Sequence, residues 1–211
     1  MLQPLKRILV RMGILANEPN GSNSTNPINY QDVYENLYQQ GYHSDLSFSN
    51  AKDLVAWIKS NLQFSSILDI GCSNGWALQQ FADGEIELAG LDPSQTAIDY
   101  CKAKGIEATV GCAHELPFKD NQFELVISTD CLEHVCPEHV SDSIKEIHRV
   151  AEKYIALKIC PNVDEGDWKK LAGHDLHLTV KPLRWWKREF TKHGGKVIYT
   201  DRNEIFVIEL S

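Results

Sequence analysis

From Ile67 to Ile70 the chain is apolar except for one acid, Ile67-Leu68-Asp69-Ile70. An apolar run of that length fits a strand covered on both faces. Gly71 and Gly75 follow at once, and Trp76-Ala77-Leu78-Gln79-Gln80-Phe81 then predicts a helix. Glu87-Leu88-Ala89-Gly90-Leu91-Asp92 predicts a second strand, again ending in an acid. The alternation continues. A helix over 95–104 stops at Gly105, and a short strand over 108–111 follows. Next come a strand over 123–128, a helix over 141–150 with Ile144, Ile147 and Val150 on one face, and a strand over 154–159. A helix over 183–193 carries Trp185 and Trp186, and Gly194-Gly195 turns the chain into two last strands over 196–199 and 204–208. Strands alternating with helices predict an α/β domain with a mostly parallel sheet and right-handed crossovers.

The first 50 residues read differently. Residues 1–15 are basic and amphipathic, without the long apolar core and small-residue cleavage site of a signal peptide. They suit a helix packed on the domain or on a second copy of the chain, which makes a homodimer a candidate. Anchoring to a membrane surface is the weaker alternative. Residues 16–29 are rich in Asn, Ser, Gly and Pro and read as a linker. A helix over 30–41 bears Tyr30, Tyr34 and Tyr38 at i, i+4 spacing. Ser49 or Asn50 can cap a helix over 51–61, whose buried face holds Leu54, Val55, Trp57 and Ile58. The division expected is a helical cap and linker over 1–50 and one domain over 51–211.

Length and charge narrow the function. The chain has 211 residues, enough for one α/β core, and no apolar run long enough to span a bilayer. A formal net charge of −8 argues against non-specific binding to polyanions, so nucleic acid is not an expected partner. The chain's 6 cysteines form no C-x-x-C pair, which points to reduced, packed thiols in a cytoplasmic protein.

Strand, glycine turn and helix together form the nucleotide-binding opening of a doubly wound sheet. Asp92 lies about 20 residues after the first glycine, where a carboxylate can accept both hydroxyls of a ribose. ILDIGCSNG followed by GLDPS resembles the first two motifs of class I S-adenosylmethionine-dependent methyltransferases. The resemblance continues through Ala113-His114-Glu115-Leu116-Pro117-Phe118, Phe123-Glu124-Leu125-Val126-Ile127-Ser128 and Leu132-Glu133-His134-Val135. It implies a Rossmann-like, doubly wound seven-stranded sheet with an antiparallel hairpin at its C-terminal edge, and N-terminal helices that cover the cofactor cleft. It also implies S-adenosylmethionine as cofactor and S-adenosylhomocysteine as product. Asp69 would meet the ammonium of the cofactor, and the backbone of Gly71, Cys72, Ser73 and Gly75 would cradle its amino-acid end. Asp92 would hold the ribose, and Leu91 and Pro93 would flank the adenine. Cys112 and Ala113 would face the adenine edge, with a cysteine where the family usually has an acid. Ser128 and Asp130 would stand beside the methyl group. A competing reading takes Gly71-x-Ser73-x-Gly75 as the nucleophile elbow of an α/β-hydrolase, with Ser73 as nucleophile.

For the acceptor side, Asp130, Glu133 and His134 are spaced i, i+3, i+4, and His174 and His177 lie beyond the fifth strand. The combination resembles methyltransferases that bind a divalent metal, among them small-RNA 2′-O-methyltransferases. On that reading Asp130, Glu133, His134 and His177 hold the ion, with Asp130 one methylene shorter than the usual Glu. Without a metal, His134, His174 or His177 can act as general base, since imidazole titrates near neutral pH. Packing is the plain alternative for each. Lys169, Lys170, Lys181, Arg184, Lys187, Arg188 and Lys192 cluster late, near Trp168, Trp185 and Trp186. They suit a phosphate or sugar surface, or an ordinary solvated helix face. The function expected is methylation of a hydroxyl on a small metabolite, sugar or glycan intermediate. The alternatives are a metal-dependent methyltransferase of RNA termini and a non-catalytic cofactor-binding subunit.

Overall fold

A computed structural model describes residues 29–42, 51–163, 167–201 and 204–210. The segment 1–28 and the capping candidates Ser49 and Asn50 lie outside the described residues. Seven strands form one sheet in the order β3-β2-β1-β4-β5-β7-β6. They are β1 (Ser66–Ile70), β2 (Glu87–Asp92), β3 (Glu107–Val110), β4 (Phe123–Thr129), β5 (Ala151–Lys158), β6 (Lys196–Thr200) and β7 (Ile205–Glu209). The first five run parallel. β7 enters antiparallel between β5 and β6, so the C-terminal hairpin leaves only β6 at the rim.

Helices cover both faces. On one side lie α2 (Lys52–Asn61), α3 (Trp76–Gln79) and α4 (Gln95–Lys102); on the other lie α5 (Val140–Val150) and α7 (Leu183–Thr191). The period-2 alternation of strand side chains sorts the core accordingly. Ile67, Leu125, Ile127, Ala156 and Val207 join Leu54, Val55 and Ile58 of α2. Leu68, Ile70, Val126, Ile155 and Leu157 join Ile147 of α5 and Trp186 and Phe190 of α7. Both faces of β1 are therefore buried, which is why its sequence runs apolar without alternating.

Two local differences from the sequence pattern have physical reasons. The helix predicted over 76–81 shortens to α3, because its end tightens into i to i+3 bonds from Gln80 to Ala77 and from Phe81 to Leu78. α2 begins behind Ala51, whose side chain has nothing to offer as a cap. Two further helices, α1 (Tyr30–Gln39) and α6 (Asp167–Ala172), lie over the carboxyl end of the sheet. Among the described residues no helix is long and apolar enough to cross a membrane. All 6 cysteines are free thiols.

Candidate active site

The strand ends of β1, β2 and β4 open on a cavity of about 670 Å³, roofed by α1 and by Trp168 of α6. A doubly wound sheet binds ligands at this place, where the strand order reverses. The floor is the turn after β1. Gly71, Ser73 and Gly75 all take left-handed φ angles of +78°, +51° and +74°. The amides of Gly71 and Cys72 both bond the Leu91 carbonyl, at 2.7 and 3.0 Å, which locks the turn to β2. A Cβ on Gly71 would stand 2.6 Å from Cys131 Sγ. The Cys72 side chain leaves the cavity for the core, its Sγ 3.7 Å from Cys101 Sγ. Only the backbone of Cys72 remains to face a ligand.

Two carboxylates flank this turn. Asp69 is 2% exposed and its Oδ1 has no hydrogen-bond partner. Burial, and then repulsion from Asp92, pushes its pKa up to about 7. Asp92 accepts from the amides of Ser73 and Ser94, each at 3.0 Å, and from the Tyr38 hydroxyl at 3.5 Å. Burial raises its pKa to about 6 against the opposite pull of those bonds.

Glu35 fastens α1 to the start of α4. Glu35 accepts from the Ser94 and Thr96 hydroxyls, both at 2.6 Å, and from the Thr96 amide at 3.2 Å. Ser94 Oγ in turn caps α4 through the Ala97 amide. These bonds outweigh desolvation and hold the Glu35 carboxyl down at about 2. Tyr42 packs edge-on to Tyr38 and Trp168, with ring centroids 5.3 and 5.1 Å away. The Tyr34 hydroxyl lies 2.6 Å from His134 Nδ1. Tyr30, Tyr34 and Tyr38 thus all line the cavity, along with His114 and His139, whose rings stack at 4.1 Å. Among the described residues no lysine or arginine lines it.

The other residues singled out by sequence divide clearly. Leu91, Pro93, Cys112, Ala113, Asp130 and His134 line the cavity. Ser128 does not; its hydroxyl donates to the Ile70 carbonyl at 2.8 Å and ties β4 to β1, and Thr129 takes the place on the wall. His174 is exposed and away from the cavity. His177 lies behind the wall, its Nδ1 2.6 Å from the Asn162 carbonyl and its ring 4.7 Å from that of His134. Neither is placed to be a base in the cavity.

The proposed metal set of Asp130, Glu133, His134 and His177 is not gathered. Leu132–His134 is a 3₁₀ turn, not an α-helical one, and Asp130 before it has a left-handed φ of +47°. The three side chains therefore diverge. Lys158 holds Asp130 at 2.7 and 3.0 Å and also reaches Glu204 at 2.8 Å. Glu133 is fully buried, its Oε1 accepting from the Cys160 amide at 2.9 Å and its Oε2 without a partner. Burial, and then the Asp130 charge, pushes its carboxyl up to about 8. His134 sits with Nδ1 3.0 Å from the Leu176 carbonyl.

Ser73 has the left-handed backbone of a nucleophile elbow, and its side chain bonds the phenol of Tyr38. The basic cluster is mostly internally matched: Lys169 pairs with Asp175, Lys170 with Asp167, and Arg188 and Lys192 with Glu189. Trp186 belongs to the core and Trp185 packs against it. Sequence reasoning missed Glu35, His114, His139 and Cys131, because their roles arise from contacts between segments distant in the chain.

The residues present fit S-adenosylmethionine. The orphaned oxygen of Asp69 suits an ammonium, the glycine cradle would be filled by a Cβ, and Asp92 suits a diol. Comparison with known proteins agrees. A family profile described as a methyltransferase domain matches residues 68–154. An uncharacterized methyltransferase of Synechocystis is 33% identical over 86 residues, covering 40% of this chain and 41% of that protein. Norajmaline N-methyltransferase of Rauvolfia serpentina is 32% identical over 139 residues, 56% of this chain and 47% of that protein. The chain thus spans less than half the length of these two relatives. Magnesium protoporphyrin IX methyltransferase of Synechocystis, solved with bound S-adenosylhomocysteine, superposes with a TM-score of 0.61 at 18% identity, over 100% of this chain and 94% of that one. Motif order, sheet order and the cleft agree with that match: residues 68–154 match a methyltransferase domain, and the sheet has the fold of class I, S-adenosylmethionine-dependent methyltransferases.

Proposed function

We propose that this protein transfers a methyl group from S-adenosylmethionine to a hydroxyl of a small, largely apolar metabolite. The observation that carries the reading is the mixed lining of the cavity. Asp69, Asp92 and the glycine cradle share it with His134, His114, His139, Tyr30, Tyr34 and Trp168. The cofactor supplies a methyl already activated on a sulfonium. The protein's part is to orient the acceptor, exclude water and take up its proton. His134 suits the last task. Its Nδ1 lies 3.0 Å from the Leu176 carbonyl, which can only accept, and 2.6 Å from the Tyr34 hydroxyl, which can accept as well; with the ring proton on Nδ1 shared between these two oxygens, the basic lone pair is on Nε2. That nitrogen would take up the proton of the acceptor hydroxyl, while Asp69, Asp92 and the glycine cradle would hold the cofactor that gives up its methyl and leaves as S-adenosylhomocysteine.

The aromatic wall favours a flat acceptor over a sugar or glycan, and the lack of a lining lysine or arginine among the described residues argues against the phosphates of an RNA terminus. The test is transfer of labelled methyl to separate pools of phenols, sugars, amines and RNA. Label in the phenol pool supports the reading, and label confined to amines or RNA overturns it. His134→Ala should lower turnover by ~10²–10⁴-fold while cofactor affinity stays near wild type. Wild-type turnover in that variant removes His134 as the base. Binding of cofactor without transfer to any pool would favour the non-catalytic subunit.

A further inference from the structure

Behind the wall that carries His134, three segments bring together a carboxylate, a thiol and an imidazole. Glu133, Cys160 and His177 each offer a ligand atom, and these atoms all lie within 4.8 Å of one another. From this juxtaposition we propose a zinc-class metal site formed by Glu133, Cys160 and His177, outside the methyl-transfer cavity. The proposal does not depend on the methyltransferase reading.

Each donor has a feature that suits an ion. Glu133 is 0% exposed, its Oε1 is held by the Cys160 amide at 2.9 Å, and its Oε2 has no partner. A buried carboxylate oxygen left alone is costly, and a cation is the partner that satisfies it. His177 Nδ1 stands 2.6 Å from the Asn162 carbonyl, an atom that can only accept. The proton therefore sits on Nδ1 and the lone pair on Nε2, the outer-shell arrangement that orients metal-binding histidines. Cys160 is half-buried and supplies a soft sulfur once its thiol proton leaves on binding.

The donor chemistry selects the ion. One thiolate, one imidazole and one carboxylate suit Zn²⁺ better than Mg²⁺ or Ca²⁺, which prefer all-oxygen shells. Bonds of roughly 2.0–2.3 Å in a tetrahedron space ligands about 3.5 Å apart. Rotation of the half-buried Cys160 and His177 side chains would draw the set in, leaving a fourth position for water. None of the three residues lines the cavity. The ion would instead pin the turn after β4, the end of β5 and the segment before α7 to one another. His134 leans edge-on against His177 at 4.7 Å, so the site would fix the wall from which His134 acts.

Cobalt tests this without any activity assay. Chelator-treated full-length protein, titrated with Co²⁺, should bind one equivalent and develop a near-ultraviolet thiolate-to-cobalt band. Zn²⁺ should displace it. Cys160→Ser should remove the band and weaken Zn²⁺ binding at least tenfold against a chromophoric chelator, and His177→Ala should weaken it comparably. Circular dichroism confirms that these two variants, at half-buried positions, remain folded; Glu133→Gln is read only if it does too. Absence of stoichiometric Co²⁺ binding, or a band that persists in Cys160→Ser, overturns the proposal.

Discussion

At the scale of single residues, the cleft depends on carboxylates that fold at a cost. Asp92 is buried, yet it is kept near ionisation by two backbone amides that orient both oxygens. In the proposed pose those oxygens take the ribose hydroxyls through charge-assisted bonds. Asp92→Ala should therefore weaken S-adenosylmethionine binding by ~1.5–3 kcal/mol, read by isothermal titration. Asp92→Asn should lose less, since an amide oxygen still serves one of the two backbone donors. Wild-type affinity in both variants would take Asp92 out of the site. Asp92 was visible in the sequence because position alone identifies it. Ser128 was misplaced for the converse reason: a strand-end hydroxyl can face the ligand or a neighbouring strand, and here the Ile70 carbonyl claims it.

At the scale of elements, two devices shape the cavity. The first is the turn after β1. Gly71 combines a φ of +78° with a site where a Cβ would meet Cys131 Sγ at 2.6 Å and Cys131 Cβ at 2.7 Å. Gly71→Ala therefore adds backbone strain to a steric clash, together about 2–4 kcal/mol. A clear fall in thermal midpoint is expected, and an unchanged midpoint would contradict the tight packing. The second is the clamp on α1. Glu35 joins that helix to the start of α4 by side-chain bonds to Ser94 and Thr96. Glu35→Ala should loosen α1, speed proteolytic cleavage within residues 29–42 and weaken cofactor binding as Tyr38 leaves Asp92. Unchanged proteolysis would mean that the tyrosines hold the helix without the clamp. The helix itself was legible from its tyrosine spacing. Its clamp was not, because nothing local marks a glutamate that bonds residues about 60 positions away.

At the scale of the whole molecule, the sheet was legible because each buried strand is a short apolar run closed by a turn signal, and that pattern survives without tertiary knowledge. The acceptor side was not. Its side-chain directions depend on a 3₁₀ turn and a left-handed Asp130, which i, i+3, i+4 counting treats as an α-helix. Global pH behaviour likewise emerges only from the assembled fold. Asp69 and Asp92 hold protons in the folded chain up to about 7 and about 6, well above the ordinary carboxylate range. Between those limits the folded state binds more protons than the unfolded one, so unliganded stability falls as pH rises from about 4 to 7. His148 acts in the opposite sense: burial, and then His193, lowers it to about 4, so its contribution is lost as pH falls below its unfolded value of 6.5. Above that value His148 is neutral in both states and contributes no slope, leaving Asp69 and Glu133, held up at about 7 and about 8, in control near neutrality. An ammonium beside Asp69 favours its ionised form. Stabilisation by saturating S-adenosylhomocysteine should therefore increase from pH 5.5 to 7.5, and binding near pH 6.5 should release a proton. Scanning calorimetry reads the first and titration in buffers of different ionisation enthalpy reads the second. Asp69→Asn keeps the shape, has no proton to lose, and should flatten both dependences. A ligand-induced shift with the same pH slope in wild type and Asp69→Asn would mean that the ammonium is held elsewhere.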